Sequence, residues 1–318
     1  MQTLLERRVL FFGGKGGVGK TTCAAATALE AASLGRRVLL VSVDPAHSVA
    51  DVFDRPVGEA GTAIAPNLTA RELDPAMEAD RYLSTVREQV SQLFSPNVVR
   101  QAFRQFELAA QAPGLEDVAV FDRVMQLVLE PSADHDLLIV DTAPTGHALR
   151  MLAMPEALAE WLDALAKRRG DIVTENDRTP GSAAADPVVA SLTRRSARVR
   201  AFHAQLTDAA ATGFALVLTP ERLPIEETIR ASDALDRLGI GVPAVIVNRV
   251  LPTDAQGDYH AARVRQQQVY LREIATRFPG HPTVSVTQLE SDVHGLPALD
   301  RVRAQLFARP ASPATLPG

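Results

Sequence analysis

Ten residues near the amino terminus, Gly13 to Thr22 (GGKGGVGKTT), constrain the fold more than any others. They stand between a short apolar run, RVLFFGG (7–14), and a helical pattern from Lys20 to Leu34. Gly14-x-x-x-x-Gly19-Lys20-Thr21 has the spacing of a phosphate-binding loop, set between a buried strand and a helix. Glycines let backbone N–H groups turn inward around phosphate oxygens, and the helix amino terminus adds a favourable dipole. The pattern assigns Gly14, Gly16, Gly17, Val18, Gly19, Lys20, Thr21 and Thr22 to nucleotide binding. Lys20 would bridge the β- and γ-phosphates, and Thr21 would offer a hydroxyl to Mg²⁺. One lysine suffices for such a loop, so the motif alone leaves Lys15 unexplained.

The rest of the chain fits a fold around this loop. Apolar runs recur at RVLLVSVD (37–44), DLLIVD (136–141), GFALVLT (213–219) and PAVIVNR (243–249), with weaker candidates at 67–73 and 283–287. Continuous hydrophobicity suits strands buried on both faces of a parallel sheet. Helical patterns lie between most of them, as at Ile225 to Leu238 and Tyr259 to Phe278. This alternation predicts an α/β fold, a P-loop NTPase with a doubly wound, mostly parallel sheet in a single domain. Three segments depart from it. Residues 76–130 read as a helical insertion of three helices, one of them carrying Val99, Phe103 and Phe106. Residues 170–187, polar and punctuated by Pro180 and Gly181, read as a mobile loop. Residues 309–318 read as a frayed tail.

Composition narrows the class. At 318 residues and 46% hydrophobic, the chain can bury a substantial core. A net charge of −5 gives no general reason to expect nucleic-acid binding. A single cysteine, Cys23, excludes an internal disulfide and any metal site built mainly on thiolates. No signal peptide is visible, and no apolar segment nears the roughly 20 residues that span a bilayer, so a cytoplasmic protein is expected.

Three further positions carry chemistry. Asp44 follows the second strand in DPAHS (44–48), at the strand end where open α/β sheets bind ligands. There it could orient the attacking water, although an Asp before a Pro also caps helices. Asp141 closes LLIVD, as the Mg²⁺-holding carboxylate of a Walker B strand does, acting through water. The following Thr142-Ala143-Pro144-Thr145-Gly146-His147 has the punctuation of a loop that moves when the γ-phosphate leaves. Asn248 ends another strand, where its amide could read an adenine edge or simply cap a turn.

Together GGKGGVGKTT, DPAHSVADVF, PGLEDVAVF and DTAPTGHALRML resemble the ArsA family of ATPases, which includes the arsenite-pump ATPase and the guided-entry ATPase for tail-anchored membrane proteins. The likeness runs from about residue 7 to 155, resumes at 215–250, and is faint at 290–299. The resemblance implies ATP and Mg²⁺ as ligands and a nucleotide-dependent homodimer. It further implies that Lys15 reaches the partner subunit's nucleotide, a contribution worth roughly 10³–10⁵ in rate for comparable cationic fingers. Lys15, Lys20 and Asp44 are then the catalytic residues, and Asn248 falls at the adenine-contacting position. Pro45, His47, Thr142, Pro144, Gly146 and His147 become switch residues.

Departures from the family shape the expected function. The arsenite pump uses several cysteines and two fused halves; this chain has one of each. No CxxC pair is present for an intersubunit zinc, and no cysteine set for an iron–sulfur cluster. The segment matching the family's apolar, methionine-rich cargo flap (about 156–200) is polar in its middle. The expectation is an ATPase whose opening and closing controls a partner, such as an apolar protein segment. The alternative is a nucleotide-switch scaffold like the MinD and ParA relatives, which needs a membrane helix or a basic DNA face. Helices 77–130 pack as core on one reading and form a cargo groove on the other.

Overall fold

The apolar runs assemble into one eight-stranded sheet in the computed structural model, which describes residues 1–44, 48–93, 114–130, 134–142, 145–176, 186–254 and 257–308. The strands are β1 (Val9–Gly13), β2 (Val38–Ser42), β3 (Thr62–Ala65), β4 (Leu68–Glu72), β5 (Leu137–Asp141), β6 (Thr212–Leu218), β7 (Val245–Val250) and β8 (Thr283–Thr287). Their order is β3-β4-β2-β5-β1-β6-β7-β8, parallel throughout except for the antiparallel β3–β4 pair. The described helices are α1 (Gln2–Leu5), α2 (Lys20–Ser33), α3 (Ser48–Phe53), α4 (Pro75–Leu93), α5 (Leu115–Leu129), α6 (Thr145–Asn176), α7 (Pro187–Thr207), α8 (Arg222–Arg237), α9 (Asp258–Arg277) and α10 (Gly295–Leu306). The α/β class and the mostly parallel sheet expected from the sequence are therefore present.

Every residue of β1, β2, β5 and β6 is buried, because helices cover both faces. Successive side chains nonetheless alternate between two cores. Leu10, Phe12, Leu40, Ile139 and Val217 join the alanine-rich face of α2 and the apolar side of α10. Val9, Phe11, Leu39, Val140, Phe214 and Leu216 meet α5, α6, α7 and α8 on the other side. Phe11 stacks on Phe214, while Phe121 of α5 meets Phe202 of α7 edge to face. Each fully buried Leu or Phe contributes roughly 1.5–3 kcal/mol by leaving water. The small residues of α2, Ala24, Ala25, Ala26 and Ala28, let that helix lie close against the strands beneath the phosphate loop.

Two parts of the sequence reading meet the structure differently. β3 was missed because it is a short edge strand with only Ile64 buried, turned into β4 by Asn67 at φ 63°. The loop expected at 170–187 is helical at its start, since α6 runs to Asn176 and Thr174 Oγ1 donates to the Gly170 carbonyl. Asp171, Thr174 and Glu175 there are exposed, and Arg169 secures that end of α6 to Asp186, which also caps α7. The rest of that loop, the middle helix of the insertion and the tail from 309 lie outside the described residues. Two arginines tie α7 to α4 and α6. Arg195 donates to the Tyr82 hydroxyl at 2.6 Å and lies over its ring, and Arg200 pairs with Asp163.

Candidate nucleotide site

β1 ends at Gly13 and α2 begins at Lys20, so the glycine loop spans the carboxyl edge of the sheet at its centre. Glycine is required at its two ends for spatial reasons. A Cβ on Gly14 would sit 2.1 Å from the Val217 carbonyl oxygen. A Cβ on Gly19, which holds φ 92°, would sit 2.2 Å from Asn248 Nδ2. Gly16 and Gly17 are exposed at the lip of the loop, while Val18 plugs into the core beneath it. Gly19 is the residue preceding α2, and Cys23 N–H donates to its carbonyl. Thr22, in the first turn, is half-buried.

Lys20 is only 5% exposed and curls back so that Nζ lies 3.4 Å from the Lys15 carbonyl oxygen. Burial pulls its pKa down, opposed by the negative charges of Asp141 and Asp44. A buried ammonium with an incomplete shell of acceptors is suited to an anionic ligand. Lys15 points elsewhere, with Nζ 3.5 Å from Glu227 Oε1 on α8.

Below the loop, β5 delivers Asp141 to Thr21. Thr21 Oγ1 donates to Asp141 Oδ2 at 2.6 Å and lies 2.9 Å from Ser48 Oγ at the start of α3. Asp141 Oδ1 is buried with no hydrogen-bond partner among the described residues. Burial pushes the Asp141 carboxyl up to about 6; the Thr21 bond and Lys20 oppose this, and Asp44 adds to it. An orphaned carboxylate oxygen beside two hydroxyls is a donor set of the hard oxygen type that Mg²⁺ takes. Thr142, the next residue, is held back to β1, its hydroxyl donating to the Phe12 carbonyl at 2.8 Å.

Asp44 emerges from β2 on the same edge, its N–H donating to Ser42 Oγ at 3.2 Å. Asn248 is buried, and its Nδ2 donates to the Val18 carbonyl at 2.8 Å. Its amide therefore braces the loop. A cavity of about 620 Å³ opens beside Lys15, Gly16 and Gly17, walled by Glu221, Arg222, Arg249, Tyr259 and Tyr270. That volume is ample for a base and ribose alongside the loop. Among the expected switch residues, Gly146 and His147 fall in the first turn of α6. Pro45, His47 and Pro144 lie outside the described residues.

Sequence reasoning had passed over Ser48, Glu72 and Glu227. Ser48 sits within the quoted DPAHS without a role. Glu72 ends a strand on the ligand-binding edge, the same signal that singled out Asp44. Nothing local in PIEET marks Glu227.

A second, larger cavity of about 1350 Å³ lies among α4, α5, α6 and α7. Val86, Val118, Leu158, Trp161, Leu165 and Leu192 are among its walls, and Trp161 is 59% exposed. Core packing, one of the two readings of the insertion, holds for α5. Val120, Phe121, Val124 and Met125 of α5 pack on the sheet, and a groove remains between the helices.

Comparison with known proteins agrees with this geometry. The family model described as anion-transporting ATPase matches residues 7–308. A putative arsenical pump-driving ATPase 2 of Aquifex aeolicus (strain VF5) is 35% identical, over 91% of this chain and 95% of the relative. ATPase ASNA1 homolog 1 of Paramecium tetraurelia is 30% identical, over 98% and 96%. ATPase GET3A of Arabidopsis thaliana is 31% identical, over 99% and 88%. A loop of this shape, with these relatives across nearly its whole length, makes the chain an ATPase of the ArsA family.

Proposed function

We propose that the chain is a Mg²⁺-dependent ATPase that works as a homodimer in the cytoplasm, its nucleotide cycle controlling an apolar protein segment held between α4, α5, α6 and α7. One P-loop domain with a helical insertion would then carry both activities. The observation carrying this reading is the groove of about 1350 Å³ with its exposed Trp161, built on the helices that cover one face of the ATPase sheet. Exposed apolar surface at a groove of this size is a recurrent mark of peptide docking.

In this reading Lys20 binds the β- and γ-phosphates in cis, and the N–H groups of the glycine loop close around them. Thr21 and, through water, Asp141 would hold the metal. Mg²⁺ bound there would neutralise charge on the β- and γ-phosphate oxygens. Asp44 orients the attacking water, and Asn248 contacts the adenine through the amide oxygen that its Val18 bond leaves over. Lys15 leaves Glu227 and reaches the partner subunit's nucleotide. Pro45, His47, Thr142, Pro144, Gly146 and His147 carry the loss of the γ-phosphate outward as switch residues.

Cys23 argues against arsenite capture through thiolates. It is the chain's one cysteine, fully buried in α2, and burial pushes its thiol up to about 12. The test of the cargo reading is capture of tail-anchored segments with and without ATP. Capture that depends on nucleotide supports it; no enrichment in any nucleotide state overturns it.

A further inference from the structure

Glu72 has no part in the mechanism just described, yet it is a carboxylate only 5% exposed at the ligand-binding edge of the sheet. It is the last residue of β4, in register with Ser42 of β2, which in turn is in register with Asp141 of β5. Its Oε1 accepts hydrogen bonds from Val49 N and Ala50 N, both at 2.9 Å. Those N–H groups belong to the first turn of α3, which has no intrahelical acceptor for them. Burying a carboxylate is costly, and a helix can be capped more cheaply by a Ser or Asp of its own. What Glu72 provides beyond a cap is a tie between elements. It fixes the start of α3, a helix of six residues that is too short to set its own direction, to the rigid sheet.

The start of α3 matters because Ser48 lies there. Thr21 commits its hydroxyl proton to Asp141, so within the 2.9 Å Thr21–Ser48 contact the Ser48 hydroxyl is the donor. This orients Thr21 Oγ1 with one lone pair still open. Glu72, the first turn of α3, Ser48, Thr21 and Asp141 thus form one continuous polar chain.

We propose that Glu72 is a positioning residue for ATP hydrolysis, acting through Ser48 on the Thr21 hydroxyl. The proposal rests on the reading of Thr21 and Asp141 as the Mg²⁺ site. Its role is indirect: it holds the first turn of α3 in the orientation that the reaction needs.

The test uses the full chain and four variants: Glu72→Ala, Glu72→Gln, Ser48→Ala and the Ser48→Ala/Glu72→Ala double variant. Steady-state turnover is measured beside calorimetric ADP affinity with and without Mg²⁺. Glu72→Ala should lower kcat about 10- to 100-fold, as small misplacements of reacting groups do, with little change in KM. Glu72→Gln keeps an acceptor oxygen and should restore most of kcat. The double variant should be no slower than the slower single one, because both changes cut the same chain. Mg²⁺ should strengthen ADP binding less in Ser48→Ala and Glu72→Ala, while metal-free ADP affinity stays at the wild-type value. Unchanged kcat in Glu72→Ala, or effects that multiply in the double variant, would overturn the proposal. If Glu72→Ala does not fold, wild-type kcat in Ser48→Ala overturns it as well. A wild-type chain whose ADP affinity ignores Mg²⁺ would instead refute the metal assignment.

Discussion

Lys15 Nζ and Glu227 Oε1 are 3.5 Å apart, so the first lysine of the phosphate loop is held by a helix of its own chain. The two side chains are 34% and 38% exposed, which puts such a pair at about 0.2–1 kcal/mol. In the proposed dimer, the negative charge of the partner's nucleotide would be enough to displace so weak a tether. Lys15→Ala should retain ATP binding but lose hydrolysis and ATP-dependent dimerisation, measured by turnover and sedimentation. Glu227→Gln should raise ATP-dependent dimerisation about two- to five-fold at low salt, and the gain should shrink as salt screens the pair. Normal hydrolysis by monomeric Lys15→Ala would show that this lysine does not act on a partner.

Asp141 yields a prediction about the ligand-free protein. Its carboxyl is raised from 3.8 to about 6 because burial disfavours the charged form. An acid with a raised folded pKa stabilises fully below its unfolded pKa and loses that stabilisation as pH rises through the folded value. The window is therefore about pH 4 to 6, and above it the ionised group costs on the order of 1–3 kcal/mol. Asp141→Asn removes that cost. In chelator and without nucleotide, the variant should melt higher than wild type at pH 8 and lose the advantage by pH 4, while hydrolysing no ATP. Equal melting temperatures across this range would mean that Asp141 is not strained by burial.

What the sequence made legible follows from how local each signal is. The loop, its flanking strand and helix, and Asp141 at a strand end were readable because β1, β5 and α2 are contiguous, the two strands fully buried and α2 mostly so. β3 was not, since it owes its existence to pairing with β4 and buries only Ile64. The Glu72 tie to α3 spans 22 residues and the Lys15–Glu227 pair more than 200. No periodicity encodes such contacts. Asn248 shows a third case: the sequence placed it at a strand end, whereas β7 runs on to Val250, and its bond to Val18 required the fold to bring β7 beside the loop.

The Gly19–Asn248 packing makes a sharp mutational prediction. Alanine at 19 would meet Asn248 Nδ2 at 2.2 Å and must also hold φ 92°, which L-residues rarely adopt. Gly19→Ala should weaken nucleotide binding more than about ten-fold, given combined strain of roughly 1–3 kcal/mol. Asn248→Ala removes the clash but not the backbone strain, so the double variant should recover only part of the loss. Calorimetry with ADP on the three variants checks this. Measured against Asn248→Ala alone, which carries the loss of the adenine contact, full recovery would assign the whole effect to the side-chain clash, and none would assign it to φ.

Trp161 is the chain's one tryptophan and lines the groove at 59% exposure, so its emission reports on that groove alone. Seating an apolar helix there would desolvate the indole and shift emission to the blue. The shift should appear with an apolar tail-anchor peptide and be absent with a scrambled polar peptide of equal length. If the nucleotide cycle controls the groove, a non-hydrolysable ATP analogue and ADP should give different peptide affinities, with a 1.4 kcal/mol coupling appearing as about a ten-fold ratio. Lys20→Ala should abolish that difference while preserving some peptide binding, because the groove lies on helices away from the loop. Replacing Leu158 and Leu165, on its wall, by Asp should remove the blue shift and leave basal ATP turnover intact. Loss of turnover together with loss of the shift would show instead that these leucines support the ATPase core.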